Sequence, residues 1–287
     1  MSSPAGTQPQ PEALEEGERA PSIGDLVRRW RRRRNLTQHA LALSAEVSTR
    51  YLSFIETGRA CPSRAMVARL AETLSLPLEE RNALLVAAGY APMFGRRELS
   101  DPLLAPVRHA LGRLLVAHEP YPALLVDRHW NIRAANRGAR LLTGGVSAQA
   151  LEPVPNLVRL ILSPAGLAGR VRNLEQWSPS LVQRVRSRAK LTCDPGLEDL
   201  YEEISSYPGV SREPSLTGGE QREPLLLQRF RLAEGEGDIA LFPAVTTFAT
   251  AEDVTVSELS IEAFFPADDA TRQSFAATKR NYQDGKR

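Results

Sequence analysis

Residues 37–58 read TQHALALSAEVSTRYLSFIETG, and the placement of small and polar residues in this stretch decides how the first part of the chain folds. Thr37 is an N-cap residue ahead of a short helix, Gln38 to Ser44, whose Leu41 and Ala42 point inward. Ser48 stands in the same position ahead of Thr49 to Glu56, with Leu52 and Ile55 inward. Two short helices this close in sequence pack at a steep angle only where the contact residues are small or aliphatic. Ala42, Val47, Leu52 and Ile55 supply that seam. Upstream, Ile23, Leu26, Val27 and Trp30 recur at helical spacing through Ile23 to Arg34, with arginines on the other faces.

The charge is uneven. Ser22 to Leu70 holds ten arginines against three acids, whereas the chain from Asp101 onward has 22 basic and 23 acidic residues. One region alone is therefore suited to a polyanion, although the whole chain is only +2. An arginine run by itself is usually a solvated helix face; joined to the patterned helical pair, it reads as a DNA-binding surface.

Gln38, Ala42, Val47, Leu52, Ile55, Glu56 and Gly58 fall where the Xre/Cro, or lambda-repressor-like, helix-turn-helix family has its matching residues. The resemblance extends through helices Ser63 to Leu74 and Glu79 to Ala88, and implies an all-α helix-turn-helix domain over residues 22–90. It also implies that the helix starting at Thr49 enters the major groove, with Gln38 bracing the phosphate backbone. The expected DNA contacts are Gln38, Ser48, Thr49, Arg50 and Ser53, with Arg32, Arg33 and Arg59 on phosphates, and Arg31, Arg34 and Arg64 as further phosphate or field charges. Arg50 is the expected base reader, since a bidentate guanidinium–guanine contact gives roughly 1–3 kcal/mol of discrimination. Tyr51 and Phe54 fit either packing or DNA contact. Glu46 stands where many relatives have glycine, so either its backbone avoids the left-handed region or it tolerates strain.

With 287 residues, 42% hydrophobic and 24% charged, the chain reads as a soluble protein of two domains. No apolar run approaches the roughly 20 residues of a membrane helix. Residues 1–21 are acidic and Pro/Gln-rich, lack the pattern of a secretory signal, and are expected to be a disordered arm. Cys61 and Cys193 match no metal or redox spacing, which suits the cytoplasm and predicts no disulfide. His39, His109, His118 and His129 have no metal-ligand spacing, and GEGDIA at 235 reads as a hairpin rather than a phosphate loop. Neither a cofactor, a metal nor an enzymatic activity is expected.

Residues 91–104 read as a linker. Residues 105–275 then form an α+β domain, followed by a tail, 276–287. Its first helix is expected over Pro106 to His118, with Val107, Ala110, Leu111, Leu114 and Leu115 inward. A strand, Ala123 to Val126, a polar turn and a strand, Ile132 to Ala134, lead to Asn136 as the cap of another helix. Asn156 to Tyr207 is helical, with Leu157, Leu160, Ile161, Trp177, Leu181, Val185, Leu197, Leu200 and Ile204 inward. Strands at Leu225 to Leu232 and Ile239 to Thr250 bracket the turn AEGEGD, a last strand lies near Val254 to Phe265, and a polar helix ends the chain. The expected product is a mainly antiparallel sheet with helices over one face.

The strand–turn–strand and Asn-capped helix resemble the opening of a PAS-type fold. The full order, with YPALLVDRHWNIRAANRGA, PNLVRLILSP and SELSIEAFFPADDAT after the basic region, resembles the MmyB-type bacterial transcription regulators. That resemblance implies a PAS-like ligand-binding domain, with fatty-acyl molecules as the ligand class. Alternation places Leu226, Phe230 and Leu232 on a buried face, and Phe242 and Phe248 on one face with Ala244 between them. These residues, with Trp177 as a lid, are the expected lining of an apolar ligand pocket; the alternative is a fully packed dimerisation or protein-interaction module. Because one helix-turn-helix covers only a half-site, a homodimer joined mainly through the second domain is expected on a double-stranded operator.

Overall fold

The computed structural model describes residues 21–143, 146, 151–152, 154–192, 194–212, 227–231, 238–248 and 250–284. Residues 1–20 of the expected arm, Leu226, Leu232 and most of the AEGEGD turn therefore lie outside the described residues. The chain divides into two compact units, Met1–Met93 and Phe94–Arg287.

The described part of the first unit is helical: α1 (Ile23–Arg33), α2 (Gln38–Ser44), α3 (Thr49–Glu56), α4 (Arg64–Thr73) and α5 (Leu78–Ala87). Hydroxyls cap the first four. Ser22 accepts from the Asp25 amide, Thr37 from Ala40, Ser48 from Tyr51 and Ser63 from Met66. All five helices end alike, with a left-handed residue followed by an amide that bonds back into the last turn. The left-handed residues are Asn35, Glu46, Gly58, Ser75 and Gly89. The closing bonds run from Leu36 to Arg31, Val47 to Ala42, Arg59 to Phe54, Leu76 to Ala71 and Tyr90 to Leu85, at 2.8–3.0 Å. This Schellman ending requires positive φ at its penultimate position, so Glu46 does adopt it, at φ 55°.

Leu26, Val27, Trp30, Leu41, Ala42, Leu52 and Ile55 form a common core with Val67, Leu70 and Leu84. Gly24 allows α1 to approach α3 closely, because a Cβ there would stand 2.6 Å from the Ile55 carbonyl oxygen.

The second unit starts, among its described regular elements, with a 3-10 turn, Pro102–Leu104, running into α6 (Ala105–Ala117). Then come β1 (Ala123–Val126), β2 (Ile132–Ala135), α7 (Arg137–Thr143), α8 (Leu157–Leu162), α9 (Leu174–Thr192) and α10 (Pro195–Ser205). It ends with β3 (Gln228–Arg231), β4 (Asp238–Thr247), α11 (Val254–Ser257), β5 (Ser260–Pro266) and α12 (Asp269–Asp284). The five strands form one antiparallel sheet in the order β2-β1-β5-β4-β3. This is the α+β domain that the sequence predicts.

Three details differ. The stretch expected to be one strand from Val254 begins as the short helix α11, because the Asp253 carboxylate accepts from the Thr255 and Val256 amides and starts a turn. Helices cover both sheet faces. Leu124 and Val126 belong to the large core with α7 to α10. Ala123, Leu125 and Ile261 pack on the other side with Leu111 and Leu115 of α6. Ala110 and Leu114 of α6 are exposed rather than inward. Asn136 does cap α7, accepting from Ala139, and it also accepts from Ala123 while donating to the carbonyls of Leu115 and Tyr121. One buried amide thus ties α7 to β1 and to the end of α6.

Candidate functional site

In the first unit, α3 is held from behind by one carboxylate. Glu56 is only 2% exposed. Arg31 of α1 grips both its oxygens, at 2.6 and 2.9 Å, and Gln38 of α2 donates to it at 2.9 Å. Arg28 donates to the Glu56 carbonyl at 2.5 Å. Burial alone would raise the Glu56 carboxyl, but the bonds from Arg31 and Gln38 and the charges of Arg31 and Arg28 outweigh it and hold it below the ordinary glutamate range.

This arrangement sorts the expected DNA contacts. Arg31 is spent on Glu56 and on the Leu36 carbonyl. Arg34 donates to the carbonyls of Leu74 and Ser75 at the end of α4. Both are therefore structural rather than phosphate contacts. Gln38 has its amide donor engaged by Glu56, so it positions α2 against α3. Arg32, Arg33, Arg59 and Arg64 are exposed; Arg33 lies 5.3 Å from the Trp30 ring.

At α3 Ser48, its cap, and Arg50 are exposed and Thr49 and Ser53 half-buried, so all four remain accessible. The Arg50 guanidinium lies over the Phe54 ring at 5.4 Å, while Tyr51 packs partly against the core. Glu46 lies 3.4 Å from Arg69, which offsets its repulsion of a phosphate. The sequence marks Glu56 only as a residue matching the helix-turn-helix family, next to the inward Ile55; its role as the anchor comes from the packing.

In the second unit the expected pocket lining divides between the two faces of the sheet. Trp177 is 4% and Phe230 2% exposed, both in the large core. Phe230 pairs with Ile239 across β3 and β4; Phe242 lies an odd number of residues further along β4 and so faces the opposite way. It stands beside Phe265, 40% exposed. Ala244 shares that outer face opposite Ala263, and Phe248 packs on the α6 side. Phe242, Ala244 and Phe248 therefore share no cavity with Phe230. What Phe230 does line is an apolar cavity of about 20 Å³ with Leu124, Phe264, Ala139, Leu142 and Leu157. Among the described residues, the buried indole Nε1 of Trp177 has no hydrogen-bond partner.

A larger cleft, about 730 Å³, lies around Arg97, Asp127, Arg128 and His129. Its polar groups satisfy one another: Arg128 pairs with Asp194 and Glu258, Arg133 with Asp127 and Arg97 with Asp253, and His129 shares a hydrogen bond with Asp194. Such a network holds loops together.

Residues 107–277 match the family described as MmyB-like transcription regulator ligand binding domain, and residues 22–84 match a helix-turn-helix domain. No curated protein matches the chain. Among solved structures, one titled "Structure of an RNA-binding Light-Oxygen-Voltage Receptor" is similar over 93% of this chain and 64% of that one, at 11% identity and a TM-score of 0.28. This chain thus spans less than two thirds of that protein, and the likeness is too weak to bear on fold or function.

Proposed function

Because the chain belongs to the MmyB-like transcription regulators and carries a helix-turn-helix domain ahead of the ligand-binding domain, we propose that it binds an operator as a homodimer and answers to a small apolar ligand of the fatty-acyl class. Residues 22–90 are the DNA-binding domain in this reading, 91–104 the linker and 105–275 the ligand-binding domain. The observation that carries the DNA side is the clamped back and open front of α3: Glu56 fixes the helix while Ser48, Thr49, Arg50 and Ser53 remain accessible. Arg50 reads a base, Arg32, Arg33 and Arg59 neutralise phosphates, and Gln38 sets the angle of α2.

On the ligand side, Phe230 in the apolar cavity supports the reading, as does the buried Trp177 indole, which has no partner among the described residues. A cavity of about 20 Å³ favours a second reading, a packed interaction module, because formed ligand pockets run to roughly 300–1,000 Å³. Apolar ligand therefore requires the core around Phe230 to open.

Operator binding measured across a salt series tests the DNA assignments. Arg50→Ala is expected to relax sequence preference, losing about 1–3 kcal/mol of discrimination at one base pair. Arg32→Ala is expected to weaken all sequences alike and to lower the salt slope by about one unit. An unchanged consensus for Arg50→Ala removes Arg50 as the reader. Melting curves with an acyl-chain series separate the two ligand readings, since a packed module shows no shift.

A further inference from the structure

A third opening lies on the inner face of the sheet. Val245, Thr247 and Ser260 face α9 across a cleft of about 530 Å³. The opposite wall carries Ser180, Arg184, Ser187 and Arg188, residues spaced so that one helix face presents them all. Trp130 closes one side, with the Arg184 and Arg188 guanidiniums 6.0 and 5.4 Å from its ring.

The two arginines differ in what satisfies them. Arg184 donates to the buried Glu262 carboxylate at 2.6 Å. Arg188 is half-buried, and among the described residues its guanidinium has neither a hydrogen bond nor an ion pair, only the Trp130 ring. The nearby acids Glu258 and Asp127 are themselves paired, with Arg128 and Arg133. Removing a cation from water without a counter-charge is costly. Burial accordingly pushes the Arg188 guanidinium below its ordinary range. Trp130 is held at φ 62°, a left-handed backbone that a bulky residue adopts only where its surroundings enforce it. Asp127 enforces it, accepting from the amides of His129 and Asn131 on either side.

We propose that this cleft binds the oxyanion of a ligand, a carboxylate or a phosphate, between Arg184 and Arg188. The anion supplies the counter-charge that Arg188 lacks, the planar fork of a guanidinium suits it, and the hydroxyls of Ser187, Ser260 and Thr247 add donors. Counting Arg184, Arg188 and Glu262, the cleft keeps one positive charge for its guest. The proposal rests on reading the second unit as ligand-binding. The anion is either free or the head of an acyl chain, since the apolar cavity at Phe264 lies on the same sheet face, four residues along β5 from Ser260, or about 13 Å.

The test is calorimetric titration of the full-length protein with inorganic phosphate, octanoate, dodecanoate and dodecanol, in wild type and Arg188→Gln. The expected result is anion binding that falls about tenfold or more in Arg188→Gln, while the ligand-free melting temperature holds or rises because an unpaired charge has gone. Ser187→Trp, at an exposed position on the cleft wall, is a second variant expected to block the anion without a loss of melting temperature. Binding of phosphate identifies a free anion; binding of octanoate or dodecanoate without phosphate identifies the head of an acyl chain. Dodecanoate and dodecanol binding alike in wild type and both variants overturns the anion site and leaves the apolar ligand standing. Arg188-dependent phosphate binding without any acyl-chain effect does the reverse. No anion binding, or equal anion affinity in wild type and both variants, overturns the proposal.

Discussion

At the scale of single residues, Glu56 carries the most consequence for its size. Its charge is buried among the partners that α1 and α2 supply, and breaking a buried pair from one side costs about 3–5 kcal/mol because the other charge is stranded. Glu56→Gln, which leaves Arg31 without its counter-charge, is expected to destabilise the first unit by about that amount. The pH dependence has a definite sign. The folded carboxyl titrates below the ordinary glutamate range, so its contribution is complete above that range and fades as pH falls through the lower, folded value. Melting curves taken from neutral pH down through the carboxylate range should show a flatter profile for Glu56→Gln than for wild type; parallel profiles would clear Glu56 of this role. Little of this was legible beforehand. An arginine in a run of arginines reads as solvent-facing, and only the packing of three helices shows that Arg31 and Arg34 turn inward while Arg32 and Arg33 do not.

At the scale of elements, the local signals were legible and the distances between them were not. Hydroxyl caps at Thr37, Ser48 and Ser63 mark helix starts because each satisfies an amide within its own turn. Alternation within a strand likewise fixed Phe230 as inward. Register between strands is set by pairing across a turn, and it is this that sends Phe242 and Ala244 to the outer face. A large residue at Ala244 would therefore leave the inner cavity untouched. Ala139 of α7 is the position that fills it. Ala139→Leu is expected to cost about 1–3 kcal/mol by overpacking and to abolish any acyl-dependent change in operator binding. An acyl response of wild-type size in that variant, checked by melting and operator titration together, rules out this cavity as the ligand's seat.

At the scale of the whole molecule, the order of a basic helical unit followed by an α+β unit was legible from charge and motif alone, because both are carried by the chain without reference to packing. The surface joining two copies was not, since inward and outward apolar residues look identical in a sequence. Leu103 and Leu114 are 72% and 49% exposed, and with Ala110 they recur at helical spacing along the 3-10 turn and α6. Phe242 and Phe265 add exposed apolar area on the outer sheet face. A homodimer proposed through this side should be weakened about tenfold or more by Leu114→Glu, given the transfer energy of a buried leucine. Light scattering that shows the wild type as a monomer, free and on DNA, would remove the dimer. The anchorage of three helices on one carboxylate has a further consequence, for how a signal can act. Helices α1, α2 and α3 share Glu56, so amide exchange should protect them together and the DNA reader should open as one body. Under the proposed function, a ligand bound in the second unit would then change how often the reader sits on its operator and leave the letters that it reads unchanged.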